Sequence, residues 1–413
     1  MENVENAVTG KKFDNNFDNK KAPQEKLDED PKERVLLMWI SLKKSNRLKR
    51  SKGIIMNVIY LQSGGPTAVI NRSLAGALRY FKENVKDGHF YGCKNGIDGL
   101  IKGDLVDMTD MSIKDIEILE VTNGAYLGSS RTNLLHASEE VFARISEIID
   151  KYELDGIMVN GGNDSMCTAS ILSKRFKVKC IGVPKTVDND LFGIPYSPGY
   201  LTAANYVANC VLSIILDSKA YKKGKITLIE TMGRDTGWLS LAATVLPSNV
   251  APDGIYIPED GFDLKEFVDK AKEVYNQKGY GMYVISEGIA LKGGESIDSF
   301  GNRQVEGSCD VIAEYLSKEK IPNRVVRLSI PQRSSRAYPN ELDDNIASFS
   351  GKEAMRLILE GETGFMAGYK LEGNNLLSNP IDLDIVAGKT RFPSKEDVEE
   401  LKKRITLMPF IVL

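Results

Sequence analysis

Histidine is almost absent from this sequence. Its 413 residues include only two, His89 and His136. A mechanism built on a Ser-His-Asp or a Cys-His arrangement therefore has almost nothing to work with. Any chemistry that the chain performs must be carried by carboxylates, lysines and arginines.

Cysteine is also sparse, and its spacing fits neither a disulfide framework nor a thiolate zinc site. The cysteines are odd in number, lie far apart and include no CxxC pair; they are Cys93, Cys167, Cys180, Cys210 and Cys309. Both kinds of site depend on paired, regularly spaced cysteines. We expect reduced, buried thiols.

The sequence has neither a long apolar run nor an excess of one charge. No stretch approaches the roughly eighteen apolar residues of a membrane span. The run Val35–Leu42 is short, and no small-residue cleavage site follows it, so it does not resemble a signal peptide. A net charge of -3 gives no general positive field for nucleic acid. We therefore expect a soluble protein that binds neither membranes nor nucleic acids.

The chain divides into a polar N-terminal stretch and a longer globular part. Residues 1–55 are rich in Asn, Asp and Lys and end in a basic run, Lys43–Lys52. Such stretches are usually solvated, so we expect a disordered or non-native extension, with the functional protein beginning near Met56. The remaining residues, 56–413, exceed one ordinary hydrophobic core and predict a domain of two packed lobes.

From Val58 onward, short apolar runs alternate with glycine turns and helical patterns, which is typical of mainly parallel α/β sheets. Helices are predicted over Glu139–Tyr152, Met166–Phe176 and Leu264–Asn276. Four predicted strands end in polar turns: Val58–Leu61 before SGGPTA, Gly156–Asn160 before GGNDS, Lys225–Thr231 before MGRDTG, and Gly281–Ile285 before SEG. Open α/β sheets bind ligands at the carboxyl ends of their strands, so we expect the site there.

Two of these turns contain adjacent glycines, Gly64–Gly65 and Gly161–Gly162. Glycine lets backbone amides approach an anion, and the helix that follows adds a favourable dipole. Ordinary turn chemistry explains either pair alone, since neither forms a Walker loop or the GxGxxG fingerprint of nicotinamide-binding domains. Their joint presence favours a polyphosphate ligand.

The segment PKTVDND, Pro184–Asp190, places a lysine, a hydroxyl and two carboxylates directly after an apolar run. A carboxylate beside a lysine can remove a proton from an alcohol, while the lysine offsets charge on a transferring phosphoryl group. An Asx-type turn with exposed charges explains the local sequence about equally well. Residue types alone leave both interpretations open.

Seven segments resemble, in order, the landmarks of the phosphofructokinase family: LQSGGPTAVIN, AYLGSSR, GGNDS, PKTVDND, ETMGRDTG, ISEG and PQR. They span roughly residues 58–333, with helical continuation expected to about Tyr369. The resemblance implies that residues 56–413 form an α/β fold of two interleaved Rossmann-like lobes, with mainly parallel sheets and an active site in the cleft between them. It also implies a cytoplasmic, Mg²⁺-dependent enzyme of glycolysis that phosphorylates the C1 hydroxyl of fructose 6-phosphate, as a homodimer or homotetramer.

The resemblance also implies roles for individual residues. Asp188 matches the general base, while Thr186 and Asp190 match contacts to substrate or metal. The hexose contacts match Met232, Gly233, Arg234 and Glu287. The positions that grip the 6-phosphate match Lys225, Arg324 and Arg333. The contacts to the transferred phosphoryl and the diphosphate match Gly64, Gly65, Arg131 and Ser165.

Two positions indicate the phosphoryl donor. ATP-dependent members of the family typically have glycine where this chain has Asp164 and Lys185. Asp164 would place bulk and negative charge where the rest of ATP must lie, whereas Lys185 would supply positive charge to a compact donor. The pair resembles the pyrophosphate-dependent branch, and we count both residues as catalytic. The alternatives are an ATP-dependent phosphofructokinase and a non-catalytic regulatory subunit of the same fold.

Three departures from the family pattern affect this assignment. Asn163 occupies the position where many members place an aspartate near magnesium, and an amide oxygen is a weaker ligand, so the metal would depend on Asp188, Asp190 and donor oxygens. Ile330 and Pro331, which precede Gln332 and Arg333, replace a polar side chain that often helps bind the 6-phosphate. Lys225 replaces an arginine, which keeps the charge but loses the planar fork.

Overall fold

The computed structural model describes residues 54–290, 296–297, 303–304 and 307–411. The predicted N-terminal extension, apart from its last two residues, lies outside this range, as do Val35–Leu42 and the basic run Lys43–Lys52. Its strands are β1 (Ile54–Ile55), β2 (Val58–Gln62), β3 (Val85–Asp87), β4 (Phe90–Cys93), β5 (Leu105–Asp107), β6 (Gly156–Gly161), β7 (Lys179–Pro184), β8 (Ile226–Thr231), β9 (Gly254–Tyr256), β10 (Gly281–Ser286), β11 (Ser296–Ile297), β12 (Arg303–Gln304), β13 (Asn323–Arg327), β14 (Phe365–Met366), β15 (Tyr369–Glu372), β16 (Asn375–Ser378) and β17 (Ile381–Asp382).

The α-helices follow or separate these strands. They are α1 (Ile70–Asn84), α2 (Gly96–Lys102), α3 (Ile113–Val121), α4 (Glu139–Lys151), α5 (Asn163–Arg175), α6 (Tyr200–Lys219), α7 (Trp238–Leu241), α8 (Leu264–Lys278), α9 (Ser308–Lys318), α10 (Ser329–Ser334), α11 (Glu341–Glu360), α12 (Leu383–Val386) and α13 (Lys395–Lys402). Short 3₁₀ turns cover Ala242–Val245, Ser248–Val250 and Pro258–Asp260.

The larger sheet has seven strands in the order β17-β14-β7-β6-β2-β4-β5. Its inner neighbours, from β14 to β4, pair in parallel. The edge strands β5 and β17 pair antiparallel. Both β2 and β6 are buried at every residue, as central parallel strands covered on two faces must be. This explains why both read as near-continuous apolar runs in the sequence.

The smaller sheet has four strands in the order β13-β8-β10-β9, and every pairing is parallel. The central strands β8 and β10 are buried throughout. The chain builds most of the larger sheet, crosses to the smaller one, and then returns to add β14 and β17 to the larger one. The two sheets therefore define two interleaved α/β lobes, and the predicted fold class is confirmed.

Helix α6 carries the chain from the larger sheet to the smaller one. Among the described residues it alone is long and apolar enough to span a membrane, but 67% of its most apolar window is buried inside the protein. That placement is typical of a core helix. Its first turn is fixed by the buried carboxylate of Asp343, which accepts hydrogen bonds from the amides of Gly199 (2.8 Å) and Thr202 (3.0 Å).

The predicted helix to about Tyr369 is wrong. Helix α11 ends at Glu360 because Gly361 adopts a left-handed conformation with φ of 90°, a common helix stop, and Tyr369 begins strand β15 instead. The predicted helix at Met166 begins three residues earlier, at Asn163.

The burial expected for the cysteines is found at three of the five positions. Cys93, Cys180 and Cys309 are buried, whereas Cys167 and Cys210 are half-buried.

Candidate active site

A cleft of about 390 Å³ opens where the carboxyl ends of the two sheets face each other. Turns after β2, β6, β7, β8 and β10 contribute to its walls. It contains most of the residues predicted from the sequence, which are Gly64, Gly65, Arg131, Asn163, Asp164, Ser165, Lys185, Thr186, Asp188, Asp190, Met232, Arg234, Glu287 and Arg333. The fold therefore brings together segments that lie far apart along the chain.

Three predicted residues do not line the cleft. Gly233 lies just behind it, where its amide donates to Glu287 Oε1 at 3.3 Å. Lys225 directly precedes β8, and Arg324 lies near the start of β13, paired in register with Thr227. Both are therefore at the amino end of the smaller sheet, opposite the cleft. Within one chain they are not brought to Asp188.

The two glycines of the turn after β2 lie against two cations. Gly64 has φ of 74°, and a side chain there would lie 3.2 Å from Lys185 Nζ. A Cβ on Gly65 would lie 2.7 Å from a guanidinium nitrogen of Arg333, closer than real contacts allow. The two glycines therefore make room for the cationic side of the cleft.

The turn after β6 leads directly into helix α5. Gly162 precedes the helix, so the first free amides of α5 open on the cleft beside Asn163, Asp164 and Ser165. A helix N-terminus preceded by glycines favours an anion. Ser165 is buried, whereas Asp164 is exposed at the cleft surface.

The loop after β7 carries both predicted carboxylates, Asp188 and Asp190. Between them Asn189 is left-handed, with φ of 52°, a conformation that asparagine tolerates better than most residues. Asn189 Oδ1 accepts from the amide of Ser197 at 2.7 Å, and Thr186 Oγ1 accepts from the amide of Asp188 at 3.1 Å. The loop is thus held by its own side chains, and both carboxylates line the cleft.

Removal from water dominates the electrostatics of the acidic groups. It raises the pKa of Asp188, while Arg234, Lys185 and Arg333 oppose that rise. Burial, followed by the charge of Asp188, raises the pKa of Asp190 to about 7 and that of Glu287 to about 7. Asp190 and Glu287 therefore titrate near neutrality, the range suited to proton transfer.

Burial also disfavours the charged forms of two cations in the cleft, Lys185 and Arg333. Burial, followed by repulsion from Arg333, lowers the pKa of Lys185 to about 7. Burial, followed by repulsion from Arg131, lowers the pKa of Arg333. A bound polyanion would relieve both repulsions. This arrangement is suited to a phosphate-rich ligand.

Two oxygens in the cleft are available to a metal ion. The amide of Asn163 donates to Asp190 Oδ2 at 2.8 Å, which leaves Asn163 Oδ1 and Asp190 Oδ1 buried with no hydrogen-bond partner. Amide and carboxylate oxygens are ligands that Mg²⁺ accepts. No cluster of three or more His, Cys, Asp or Glu side chains suited to a metal occurs among the described residues. A metal here would therefore share its coordination with a ligand such as a phosphate.

The opposite wall is built by the loop after β8. Arg234 has φ of 50°, and its amide and that of Gly233 both donate to Glu287 Oε1 at 3.3 Å. The structure also reveals supports that the sequence did not identify. Gln332 Oε1 accepts from the amide of Met232 at 3.1 Å, and Thr236 Oγ1 donates to the carbonyl of Asp188 at 3.2 Å.

The further residues that line the cleft include Thr132, Asp235 and Thr390. Thr132 and Asp235 directly follow predicted site residues, so the motifs GSSR and MGRDTG could have indicated them. Thr390 lies in a segment to which the sequence assigned no function.

The sequence and the fold also match known proteins. Residues 57–358 match the family described as "Phosphofructokinase". The chain is 34% identical to the pyrophosphate--fructose 6-phosphate 1-phosphotransferase of Xanthomonas campestris, over 74% of this chain and 77% of the relative. It is 31% identical to the sulfofructose kinase of Alkalicoccus urumqiensis, over 76% and 83%.

An ATP-dependent relative lies at a similar distance. The chain is 31% identical to the ATP-dependent 6-phosphofructokinase of Oceanobacillus iheyensis, over 75% of this chain and 88% of the relative. Among solved structures, the pyrophosphate-dependent phosphofructokinase of Nitrosospira multiformis superposes with a TM-score of 0.74 at 25% identity, covering 87% of this chain and 94% of that one.

Proposed function

Because this chain belongs to the phosphofructokinase family and is a phosphotransferase, we propose that it uses pyrophosphate as its phosphoryl donor and fructose 6-phosphate as its acceptor. The products are fructose 1,6-bisphosphate and phosphate. Pyrophosphate and the product ester have comparable phosphoryl potential, so the step is reversible. It would serve glycolysis and gluconeogenesis in the cytoplasm.

The observation that carries the choice of donor is the position of Lys185. Its ammonium group lies 2.7 Å from the carbonyl oxygen of Gly65, so the side chain spans from the tip of β7 to the tip of β2. A cation at this place neutralises a compact donor and the phosphate that leaves it. Asp164, exposed in the first turn of α5, adds negative charge that opposes the longer polyphosphate and nucleoside of ATP.

Asp188 is the proposed general base. Its carboxylate takes the proton of the C1 hydroxyl, whose oxygen attacks the nearer phosphorus of pyrophosphate as the bridging P–O bond breaks. Arg234, Lys185 and Arg333 are the cations that most favour the ionised form of Asp188. Arg131 and Lys185 offset charge on the transferring group, and inorganic phosphate leaves.

Mg²⁺ is the proposed metal. Asn163 and Asp190 would hold it through their two unpartnered oxygens. When bound, the ion neutralises charge on the donor oxygens. Thr186, in the same loop as Asp188 and Asp190, would contact the acceptor sugar.

The sugar contacts come from two copies of the chain. Met232, Gly233, Arg234 and Glu287 hold the hexose, and Arg333 holds its 6-phosphate. Lys225 and Arg324 lie at the opposite end of the smaller sheet. We therefore propose that a neighbouring copy supplies them to this cleft, which requires a homodimer or homotetramer.

The proposal is tested by following fructose 1,6-bisphosphate formation from fructose 6-phosphate and Mg²⁺. Pyrophosphate and ATP are compared at matched concentrations, with the ATP first treated with pyrophosphatase and the pyrophosphatase then removed. Activity with pyrophosphate alone is the expected result. Activity with ATP alone would leave the family assignment intact but reject pyrophosphate as the donor. The ATP-dependent relative favours this second candidate, an ATP-dependent phosphofructokinase. Inactivity with both donors would favour a non-catalytic subunit.

A further inference from the structure

Thr390 and Arg391 belong to a C-terminal segment that lies against the loop after β7, called here the catalytic loop because it carries Asp188 and Asp190. The family match ends before this segment, at residue 358. The amide of Arg391 donates to the main-chain carbonyl of Asp190 at 2.8 Å. The preceding residue, Thr390, forms an antiparallel bridge with Leu191 and lines the cleft. The segment therefore backs the loop that carries both carboxylates.

The same arginine is bound to the other lobe. Its carbonyl oxygen accepts a hydrogen bond from Trp238 Nε1 at 3.1 Å, and its guanidinium carbon lies 4.4 Å from the centre of the indole ring. Trp238 is fully buried and begins helix α7, two residues after Thr236 in the loop that forms the opposite wall. The main chain of Arg391 thus bonds both to the loop after β7 and to Trp238, the residue at which helix α7 begins after the loop that follows β8.

The contacts around Arg391 leave it little freedom. Its guanidinium is ion-paired with Asp397, and only 17% of its side chain is exposed. Asp397 is itself fixed in the capping box of helix α13, where its carboxylate accepts from the amide of Ser394 at 3.0 Å. On the far side, Tyr200 donates from its hydroxyl to the carbonyl of Trp238 at 3.0 Å. Arg391 and Trp238 are therefore each held by further contacts, Arg391 by Asp397 and Trp238 by Tyr200.

A second connection joins the same two loops directly, because Thr236 Oγ1 lies 3.2 Å from the carbonyl of Asp188. Its one proton is shared between that carbonyl and the carbonyl of Gly233, also at 3.2 Å. One hydrogen bond alone allows the loops to rotate about it. A second attachment, two residues further along the catalytic loop at Asp190, removes that rotation.

We propose that Arg391 is a positioning residue. Its side chain, held by Asp397 and the indole of Trp238, keeps in place the main-chain bonds that tie the loop of Asp188 and Asp190 to the start of helix α7. Since α7 follows the loop of Met232–Asp235, this link fixes the base relative to the sugar. This inference rests on the proposed function, because it assumes that Asp188 acts on a sugar held by the opposite loop. An ångström of misplacement at a reacting centre can cost about 100-fold in rate. The effect of losing Arg391 should therefore appear in kcat.

The test compares Arg391→Ala with Lys389→Ala in the full chain, using the donor that the wild-type protein accepts. Lys389 lies in the same segment, but its ammonium group packs over the exposed ring of Phe192. We expect Arg391→Ala to lower kcat by roughly 10- to 100-fold with KM values within about threefold of wild type. Lys389→Ala should keep wild-type kcat, and Arg391→Lys should recover part of the loss because it keeps the cation over the indole.

A readout independent of activity separates this inference from the proposed function. In hydrogen-exchange mass spectrometry, Arg391→Ala should exchange faster in peptides covering 186–191 and 232–238, while Lys389→Ala should match wild type there. If Arg391→Ala does not fold, kcat and hydrogen exchange are measured on Asp397→Asn instead. Unchanged exchange and kcat within twofold of wild type in the folded variant would overturn the role of Arg391. A wild-type protein inactive with both donors would count against the proposed function, and exchange would still decide the positioning role.

Discussion

The ammonium group of Lys185 lies 2.7 Å from the carbonyl oxygen of Gly65. In the sheet, β6 separates the strands that end at these residues, so the lysine side chain crosses in front of the glycine turn that opens helix α5. The two glycine turns and the first amides of α5 therefore surround the buried ammonium group of Lys185. This geometry leads to two predictions about the donor.

Replacing Lys185 with methionine should keep the volume of the side chain but remove its charge. We expect kcat/KM for pyrophosphate to fall by roughly 10²–10³-fold, the usual loss when a charge stabiliser is removed from the transition state. Steady-state kinetics with varied pyrophosphate measure this. Lys174→Met is the matched control, since Lys174 is an exposed lysine on α5 that pairs with Asp384 at the surface. Equal kinetics in the two variants would contradict the role of Lys185.

The activity should also depend on the protonation of Lys185. Burial disfavours its charged form and lowers its pKa to about 7, so the free protein loses this cation as the pH rises through that value. We expect kcat/KM for pyrophosphate to decline above about pH 7 for this reason. Arginine stays charged throughout this range, so Lys185→Arg should move the decline to higher pH. An identical decline in both proteins would assign it to another group.

Removing the carboxylate of Asp188 tests the proposed base. Asp188→Ser should lower kcat by roughly 10²–10⁴-fold, the usual contribution of general base catalysis, and should spare binding of fructose 6-phosphate measured by calorimetry. Asp269→Ser, at an exposed position of α8, serves as the control. A rate within tenfold of wild type would remove Asp188 from the role.

Much of the cleft could be predicted because its residues follow strand ends within short motifs. Asp188 and Asp190 come directly after β7, and the spacing of strand, turn and helix is a local property. The contact of Arg391 with Asp190 was not predictable in this way. It depends on β14 and β17 joining the larger sheet beside β7, a pairing between distant segments that leaves no short-range pattern.

Two other differences between the predictions and the structure could have been avoided from the sequence. Gly361 follows a long helical pattern and marks its end, so the extension of that helix to Tyr369 ignored an available stop signal. Lys225 precedes its strand, whereas Met232 follows it, and the two ends of a strand lie on opposite edges of a sheet. Sequence order alone therefore separates Lys225 from the cleft of its own chain.

This separation leads to a prediction about assembly. Arg324 is held at the amino end of the smaller sheet by Thr227 Oγ1 (2.9 Å) and Ser218 Oγ (2.8 Å). If it serves a neighbour's cleft, Arg324→Ala should be defective alone, as should Asp188→Ser. A hybrid of the two contains one cleft with an intact Asp188 and an intact Arg324 from the other copy. Refolding an equal mixture should then restore about a quarter of wild-type activity for a dimer, because half of the dimers are hybrid and each has one complete site.

The control for this experiment is each variant refolded alone, with light scattering to measure the size of the assembly. Activity that stays at the average of the two variants, in an assembly of two or more chains, would mean that Arg324 acts only within its own chain or on folding. Arg324 lies away from the cleft of its own chain, and its guanidinium is already engaged by Asp217 at 3.1 Å. An effect on transfer is therefore best explained by a second copy, and recovery in the mixture distinguishes that from a loss of stability.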